Sequence, residues 1–271
     1  MLELQDTVAD GTRRRIAKAS ALATIGKVVA PLDVAPASAV KATGIFILDR
    51  NLGGGLPSGS VVYLSGDPKS MTEIFLHQFT QTRKTYYVVT GRRPKYVAQN
   101  IRSMGYDISE ITFIDIYSEY YITAQGELVD NVGNEYVDNQ IVDFMIYNLQ
   151  NIETEEDFSG ANILFDTFSF FLNLSVNVGQ IRKLMNVIYE TTKELDGMTY
   201  LYGLKNTHDR TLENEIINAC DVVFDIELLH NSDEIVSRLS IPKIRGMSPI
   251  TDMLKFKISE GIQIDTSTDI A

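Results

Sequence analysis

The sequence predicts an α/β fold in which a mainly parallel sheet is covered by helices on both faces and ends in antiparallel strands. From Gly44 onward, short apolar runs alternate with helical segments, which is the pattern of repeated βα units. Each run is apolar over most of its length, as strands buried between two helical layers are. After residue 220, three strand-like runs follow with little helix between them, which favours antiparallel pairing.

The first half of the alternation contains three predicted strands. The run SVVYLSG (Ser60–Gly66) is followed by the helical stretch EIFLHQFTQT, and the run TYYVVT (Thr85–Thr90) is the second strand. The next helix is PKYVAQNIRSMG, in which Pro94 suits the first turn because the N–H groups of that turn lack helical acceptors. The third strand is ITFIDI (Ile111–Ile116).

A long polar connection with Gly126 and Gly133 leads into the second half. The pattern there predicts helices over about residues 136–151 and 176–195, and strands over residues 161–166 and 198–204. The C-terminal runs are DVVFDIELL, EIVSRLSIPKIRG and MLKFKISEGIQI. We expect them to be antiparallel strands at one edge of the sheet.

Residues 1 to about 40 are predicted to be an N-terminal arm and linker, separate from a domain over residues 41–271. The stretch TRRRIAKASALATIGKVV predicts a helix over Thr12–Val29, and the Ala- and Pro-rich APLDVAPASAVKATG is typical of a linker. Its three consecutive arginines are either solvated or in contact with an anionic surface: Arg13, Arg14 and Arg15. The arm is a candidate docking element.

Composition places the chain among ordinary globular proteins, since 44% of its 271 residues are apolar and 22% are charged. A single cysteine, Cys220, excludes an internal disulfide and a multi-cysteine zinc cluster, and we expect it in the core. No apolar run reaches the ~18 residues of a membrane span, and the N-terminus lacks the signal-peptide pattern. These observations predict a cytoplasmic protein without a membrane partner.

Charge is distributed unevenly along the chain. The net charge is -12, but residues 103–181 contain 14 Asp and Glu and no Lys or Arg, so this window carries -14 and the rest +2. An anionic surface repels phosphate backbones, which disfavours a general nucleic-acid binder. The window is either a solvated face or a docking surface for a basic partner.

The loop after the first strand lies where α/β proteins bind phosphate, because backbone N–H groups and the dipole of the next helix meet there. The phosphate-loop pattern is G-x-x-x-x-G-K-[ST], and only its first position matches this chain. The eight residues are Gly66, Asp67, Pro68, Lys69, Ser70, Met71, Thr72 and Glu73.

Each replacement removes one contribution to phosphate binding. Met71 puts a side chain where glycine lets the main chain wrap a phosphate, and Thr72 lacks the charge of the lysine. Glu73 puts a carboxylate where a hydroxyl holds magnesium, and two unit charges ~4 Å apart repel by ~4 kcal/mol at an effective dielectric of ~20. Lys69 would have to fold back to compensate. We therefore expect no tight binding of Mg-ATP in the usual pose.

The surroundings of this loop resemble the KaiC-type members of the RecA-like P-loop ATPases. The segment TGIFILDRNLGGGLPSGSVVYLSGDP is similar to the lead-in of that family, with its T-G-x-x-x-L-D and G-G-G-L-P-x-G elements. The matching residues are Thr43, Gly44, Leu48, Asp49, Gly53, Gly54, Gly55, Leu56, Pro57 and Gly59. The resemblance implies a RecA-like three-layer αβα sandwich and covers about residues 43–264.

Three further segments carry the resemblance. VVTGRRPKYVAQNIRSMGYDI is similar to the strand, catalytic turn and helix that end in a G-[WYF]-D element, here at residues 105–107. NILFDTFS resembles the magnesium-binding Walker B strand, with Asp166 at its end. KIRGMSPITDMLKFKISEGIQI resembles the closing hairpin, whose K-x-R-G element, here Lys243, Arg245 and Gly246, reaches the nucleotide of a neighbouring protomer.

One departure concerns the general base. Where the family has a pair of glutamates that activate water, this chain has Arg92 and Arg93 after Gly91, and an arginine cannot accept a proton. The resemblance, with its departures, implies a stand-alone archaeal-type domain with a degenerate, inactivated Walker A motif and no catalytic residues. We expect Arg92 and Arg93 to pair with acids on an adjacent subunit.

Several residues have two interpretations at this point. Asp166 caps the turn after its strand, or it retains a metal role. Lys243 and Arg245 are surface charges, or they are inter-subunit contacts. His208, in KNTHDR, is a solvated loop histidine rather than a sensor of the γ-phosphate, since we expect no phosphate there.

Together these observations predict a pseudo-ATPase that acts as a regulatory or scaffolding protein in signalling, without a cofactor or metal. Its expected partner is a protein, either an active paralogue or a second copy in a homo-oligomer. One alternative is a domain that holds ATP or ADP weakly without hydrolysis, through Lys69, backbone amides and a neighbour's Lys243 and Arg245. An active DNA-repair ATPase agrees with the predicted fold. It disagrees with the absence of the phosphate-binding and catalytic groups and with the acidic window of residues 103–181.

Overall fold

The computed structural model describes residues 39–129, 133–154, 158–230, 235–259 and 261–265. The helices in this part are α1 (Phe46–Asn51), α2 (Glu73–Phe79), α3 (Pro94–Ser103), α4 (Ile116–Tyr121), α5 (Glu135–Ile152), α6 (Ser169–Leu172), α7 (Val178–Glu194) and α8 (Arg210–Ala219). The strands are β1 (Val40–Lys41), β2 (Leu56–Pro57), β3 (Ser60–Gly66), β4 (Thr85–Val89), β5 (Ile111–Asp115), β6 (Asn162–Asp166), β7 (Met198–Leu204), β8 (Val222–His230), β9 (Ile235–Ile244), β10 (Ile250–Ser259) and β11 (Gly261–Ile264).

Nine strands form the central sheet, in the order β11-β10-β9-β8-β3-β7-β6-β4-β5. The six strands from β8 to β5 are parallel, and β9, β10 and β11 are antiparallel to their neighbours. The predicted fold class is therefore confirmed. The predicted tail needs one correction, because β8 pairs in parallel with β3 and is the junction between the two parts of the sheet.

The third C-terminal run forms two strands rather than one. Ser259 pairs with Gly261 in the antiparallel ladder of β10 and β11, so the chain reverses direction within MLKFKISEGIQI. Gly261 has a φ of 114°, a conformation that side-chain-bearing residues rarely adopt. A glycine inside an apolar run is therefore the sequence signal for this reversal.

Two apolar cores lie on opposite faces of the sheet. Successive residues of β3 point to opposite faces, so Val62 and Leu64 join one core while Val61 and Tyr63 join the other. The first core includes buried side chains of α1, α2 and α3, and the second includes those of α5, α7 and α8. This arrangement is the predicted three-layer sandwich. Cys220 is buried in the second core, as expected.

Four helices were not predicted: α1, α4, α6 and α8. Strand β5 ends at Asp115, one residue earlier than expected, because the Asp115 carboxylate accepts a hydrogen bond from Ser118 N and caps α4. Helix α6 is a single turn after β6. Helix α8 buries Ile216 fully and packs Leu212 and Ile217 partly against the second core, and Asp209 caps it by accepting from Thr211 N and Leu212 N.

The lead-in segment is held by its own side chains. The Asp49 carboxylate accepts hydrogen bonds from Thr43 N at 2.7 Å, Thr43 Oγ1 at 2.8 Å and Gly44 N at 3.0 Å. Val40 and Lys41, which the sequence assigns to the linker, pair as β1 with β2. The predicted helix over residues 12–29 and the arginines at 13–15 lie outside the described residues, and the predicted boundary of the arm stays a prediction.

In the described ranges, we find no helix that is both long enough and apolar enough to cross a bilayer.

Candidate functional site

The carboxyl ends of four parallel strands meet at one edge of the sheet, where α/β proteins bind ligands. Gly66 ends β3, Asp166 ends β6 and Leu204 ends β7, while Thr90 directly follows β4. The predicted phosphate loop begins at this edge, and Arg92 reaches it from the turn after β4. The Thr90 hydroxyl donates to the Asp166 carbonyl at 2.8 Å and ties two of these strand ends together.

The side chain of Thr72 fills the inner side of the loop. It is fully buried, and its Oγ1 lies 2.6 Å from Ser70 Oγ. A Cβ atom on Gly66 would overlap the Thr72 side chain, so the only residue that matches the phosphate-loop pattern makes room for a threonine. Space that a phosphate loop leaves for its anion is therefore partly occupied by protein.

Asp67 occupies three donors of the same loop, two of them backbone amides. Its carboxylate accepts from Lys69 N at 2.8 Å, and its carbonyl accepts from Ser70 N at 2.9 Å and from the Ser70 hydroxyl at 2.6 Å. A phosphate cradle works because such amides point at the ligand. Here an acidic residue of the chain itself takes that role, and its negative charge repels an incoming phosphate.

Met71 has an unusual backbone conformation. Its φ is 53°, in the left-handed region that favours glycine, and its side chain is 52% exposed. A non-glycine residue in this region costs roughly 1–2 kcal/mol. The second glycine position of the pattern thus retains a conformation that suits glycine, although a methionine now occupies it.

The charges along the loop follow the sequence expectation. Glu73 is the first residue of α2 and is half-buried beside the loop. Pro68 and Lys69 are exposed at its tip. The loop therefore has the acidic Glu73 near the strand ends and the basic Lys69 at the solvent-exposed tip.

Arg92 forms an ion pair with Asp166. The distance from Arg92 Nη2 to Asp166 Oδ2 is 3.6 Å, and the carboxylate is buried. Burial raises the pKa of Asp166 and the charge of Glu73 raises it further, whereas Arg92 opposes both effects. Arg92 thus supplies the nearby positive charge that a buried carboxylate requires.

Arg93 is engaged within its own chain as well. Its Nη2 donates to the Gly126 carbonyl at 2.9 Å. The expected pairing of Arg92 and Arg93 with an adjacent subunit stays a prediction, but both side chains already have intramolecular partners.

Two buried polar groups beneath the site were missed by the sequence analysis. His77 is buried on α2, one turn after Glu73, and among the described residues neither of its ring nitrogens has a hydrogen-bond partner. Burial, with the nearby charge of Arg92, lowers the pKa of His77 to about 4. Burial likewise raises the pKa of Tyr87, which lies on β4. Their positions on core-facing sides of α2 and β4 were the available signals.

His208 is not a solvated histidine, which corrects the prediction. Its side chain is fully buried, with Nε2 3.0 Å from Ser169 Oγ and Nδ1 3.6 Å from a Glu213 carboxylate oxygen. A Ser–His–acid series invites comparison with a hydrolase triad. However, Ser169 is 2% exposed and its Oγ accepts from Leu204 N, so the hydroxyl is inaccessible to a substrate. The series holds α6, β7 and α8 together.

Lys243 and Arg245 bind the C-terminal end of α8. Lys243 Nζ donates to the carbonyls of Ile217 at 2.8 Å and Asn218 at 3.0 Å, and Arg245 Nη2 also donates to Asn218. Cations are favourable at the negative end of a helix dipole. The inter-subunit role of these two residues stays a prediction alongside this intramolecular one.

The chain's residues do not fit a magnesium-bound nucleotide. Thr72 and Asp67 occupy the cradle, Glu73 replaces the metal-binding hydroxyl, and Arg92 is paired with the carboxylate that would face the metal. The described residues also hold no cluster of three or more His, Cys, Asp or Glu side chains suited to a metal ion.

Comparison with known proteins gives the family. The chain matches DUF7125, described as a family of unknown function, over residues 40–159 and 158–271. This chain is a member of DUF7125. A search of curated proteins gave no match.

Solved structures show the fold that this DUF7125 member has. A KaiC-like protein from the hyperthermophilic archaeon Pyrococcus horikoshii is similar at a TM-score of 0.63 and 19% identity, over 85% of this chain and 100% of that chain. The flagellar accessory protein FlaH from Methanocaldococcus jannaschii is similar at 0.61 and 18% identity, over 82% and 96%. The predicted RecA-like, KaiC-like P-loop fold is thereby confirmed.

Proposed function

We propose that this DUF7125 protein is a pseudo-ATPase, which has the fold of a P-loop ATPase but works by association with a protein partner. Its role is regulatory or scaffolding, in signalling. The observation that carries the proposal is the ion pair between Arg92 and Asp166. A guanidinium already neutralises the carboxylate that the Walker B resemblance assigns to magnesium.

The ion pair opposes metal binding electrostatically. A divalent cation beside Asp166 would be repelled by the permanent charge of Arg92, and Arg92 would have to move away first. Once Arg92 has moved, the buried carboxylate of Asp166 has no counter-charge, which is unfavourable until the metal binds. Metal binding here therefore begins with an unfavourable step.

The loop supports the same conclusion independently. Phosphoryl transfer relies on groups that position the phosphate and stabilise its charge. The Thr72 side chain and the Asp67 oxygens occupy that space, and Glu73 adds a repulsive charge. In addition, Arg92 and Arg93 cannot act as a general base.

Hydrolysis of ATP is the direct test. We expect purified protein, freed of contaminating ATPases, to release no more phosphate from Mg-ATP than its Asp166→Asn variant does. The matched control is Asp252→Asn, which removes the same charge at an exposed position of β10. Turnover that persists in the control variant and disappears in Asp166→Asn would show an active enzyme and contradict the proposal.

A second candidate is a protein that holds ATP or ADP without hydrolysis. The exposed Lys69 and the left-handed backbone of Met71 favour it, since together they leave one base and a glycine-like turn at the mouth of the loop. Calorimetric titration with ATP and ADP, with and without magnesium, separates the candidates. Micromolar binding supports the second candidate, and the absence of heat supports the first.

A further inference from the structure

Helix α5 presents a tyrosine-bearing side to solvent. Tyr136, Gln140, Asp143 and Tyr147 are exposed and lie four, three and four residues apart, which places them on one side of a helix. Tyr136 is 74% exposed and Tyr147 is 62% exposed. We call these four residues, together with the neighbouring Glu119, the α5 face.

The Tyr136 end of the face is tied to neighbouring residues. Gln140 Nε2 donates to the Tyr136 hydroxyl at 3.2 Å, and the Tyr120 hydroxyl of α4 donates to the Gln140 carbonyl at 3.1 Å. The Tyr120 ring also packs edge-on against Phe144, on the adjoining side of α5. A fixed tyrosine loses little conformational entropy when a partner covers it.

Negative charges lie beside the tyrosines. Tyr120 packs between α4 and α5, and besides burial the charges of Glu119 and Asp143 raise its pKa, which places both acids near one ring. Both belong to the window of residues 103–181, which contains no Lys or Arg. Two like charges on adjacent helices repel each other, and a cation between them would relieve that repulsion.

We propose that the α5 face docks a protein partner through an arginine-rich segment. A guanidinium pairs with Glu119 and Asp143 and stacks on the exposed tyrosine rings, where a cation–π contact contributes roughly 0.5–2 kcal/mol. Tyrosine and arginine are also the residue types that dominate binding energy in protein interfaces. The inference rests on the proposed function, because it gives the chemistry of the partner, but its test contains no nucleotide.

The test measures binding of a fluorescein-labelled oligo-arginine peptide to the full chain by fluorescence anisotropy, at about 0.15 M salt, where weak long-range attraction is screened. Two variants alter the face: Tyr136→Ser/Tyr147→Ser and Asp143→Asn. Two controls make single changes of the same kinds elsewhere on the surface: Tyr96→Ser on α3, where the tyrosine is 49% exposed, and Asp252→Asn on β10. Circular dichroism checks that each variant is folded.

We expect both face variants to weaken binding at least fivefold, and both controls to weaken it less than twofold. Equal losses in face and control variants would show attraction to the net charge alone and would overturn the proposal, as would a wild-type protein that does not bind. Asp143→Asn is exposed and nearly isosteric, so it decides the matter even if the double variant misfolds. If light scattering shows a dimer that the face variants dissociate, the occupant is a second copy and the proposal is wrong.

Discussion

Arg92 and Asp166 are 74 positions apart in the chain, yet Arg92 Nη2 lies 3.6 Å from Asp166 Oδ2. The contact exists because β4 and β6 are adjacent parallel strands, paired from Thr85 opposite Asn162 to Val89 opposite Asp166. It places an ion pair at the carboxyl ends of the parallel strands.

Replacing Arg92 by methionine should destabilise the protein by about 2 kcal/mol at pH 7. Breaking a fully buried pair costs ~3–5 kcal/mol, and we expect less because Arg92 is more than a third exposed. Urea unfolding measures the change. Arg92→Lys keeps the charge and is the matched control. If Arg92→Lys loses as much stability as Arg92→Met, packing rather than charge is responsible.

The same variant should respond to pH in a defined direction. Asp166 already has a raised pKa, and without Arg92 it rises further. A carboxyl group with a folded-state pKa above its unfolded value stabilises the protein at low pH and loses that effect as pH rises through the folded value. The defect of Arg92→Met should therefore be smaller at pH 4.5 than at pH 7. An equal defect at both values would contradict the charge argument.

His77 should make the protein acid-sensitive below pH 6.5. Its pKa falls to about 4 in the folded state, so the unfolded state binds more protons between pH 4 and pH 6.5. Stability from this residue is complete above pH 6.5 and is lost as pH falls toward 4, by at most roughly 3 kcal/mol. Urea unfolding of His77→Leu against pH should lack this slope, which is up to about 1.4 kcal/mol per pH unit. If the free energy of unfolding has the same pH dependence in wild type and His77→Leu, the acid sensitivity has an origin other than His77.

Met71→Gly should stabilise the protein by about 0.5–1 kcal/mol. Relief of the left-handed backbone gains roughly 1–2 kcal/mol, and the greater freedom of glycine in the unfolded chain offsets part of it. Met253→Gly, at a similarly exposed methionine in the extended strand β10, is the control and should destabilise by a comparable amount. Thermal melts compare the two, and equal destabilisation would mean that Met71 is not strained.

Restoring the phosphate-loop pattern alone should not restore Mg-ATP binding. Met71→Gly/Thr72→Lys/Glu73→Thr recovers the glycine, lysine and hydroxyl but leaves Arg92 paired with Asp166. Adding Arg92→Glu removes that cation, and we expect at least tenfold tighter binding by calorimetric titration. If the triple and quadruple variants bind Mg-ATP with equal affinity, Arg92 does not prevent Mg-ATP binding.

Much of the fold could be predicted because its signals are local. Strands β3 and β7 begin and end at the predicted residues, and α3 begins at Pro94, since apolar runs, glycines and prolines act over a few neighbouring positions. Helix α8 was missed because its apolar residues, Leu212, Ile216 and Ile217, span fewer than two turns of an otherwise polar segment. The antiparallel assignment of β8 failed because strand order depends on contacts distant in sequence.

The candidate site could likewise be predicted only in part. The sequence by itself determined which chemical groups are missing, because the identities at Met71, Thr72, Glu73 and Arg92 are independent of their surroundings. Only the tertiary structure decided where the remaining groups go: Arg92 onto Asp166, Thr72 into the loop, and His77 and His208 into the interior. The physical reason is that pairing and burial depend on which strand ends the sheet brings together, and a single chain's local pattern does not encode that order.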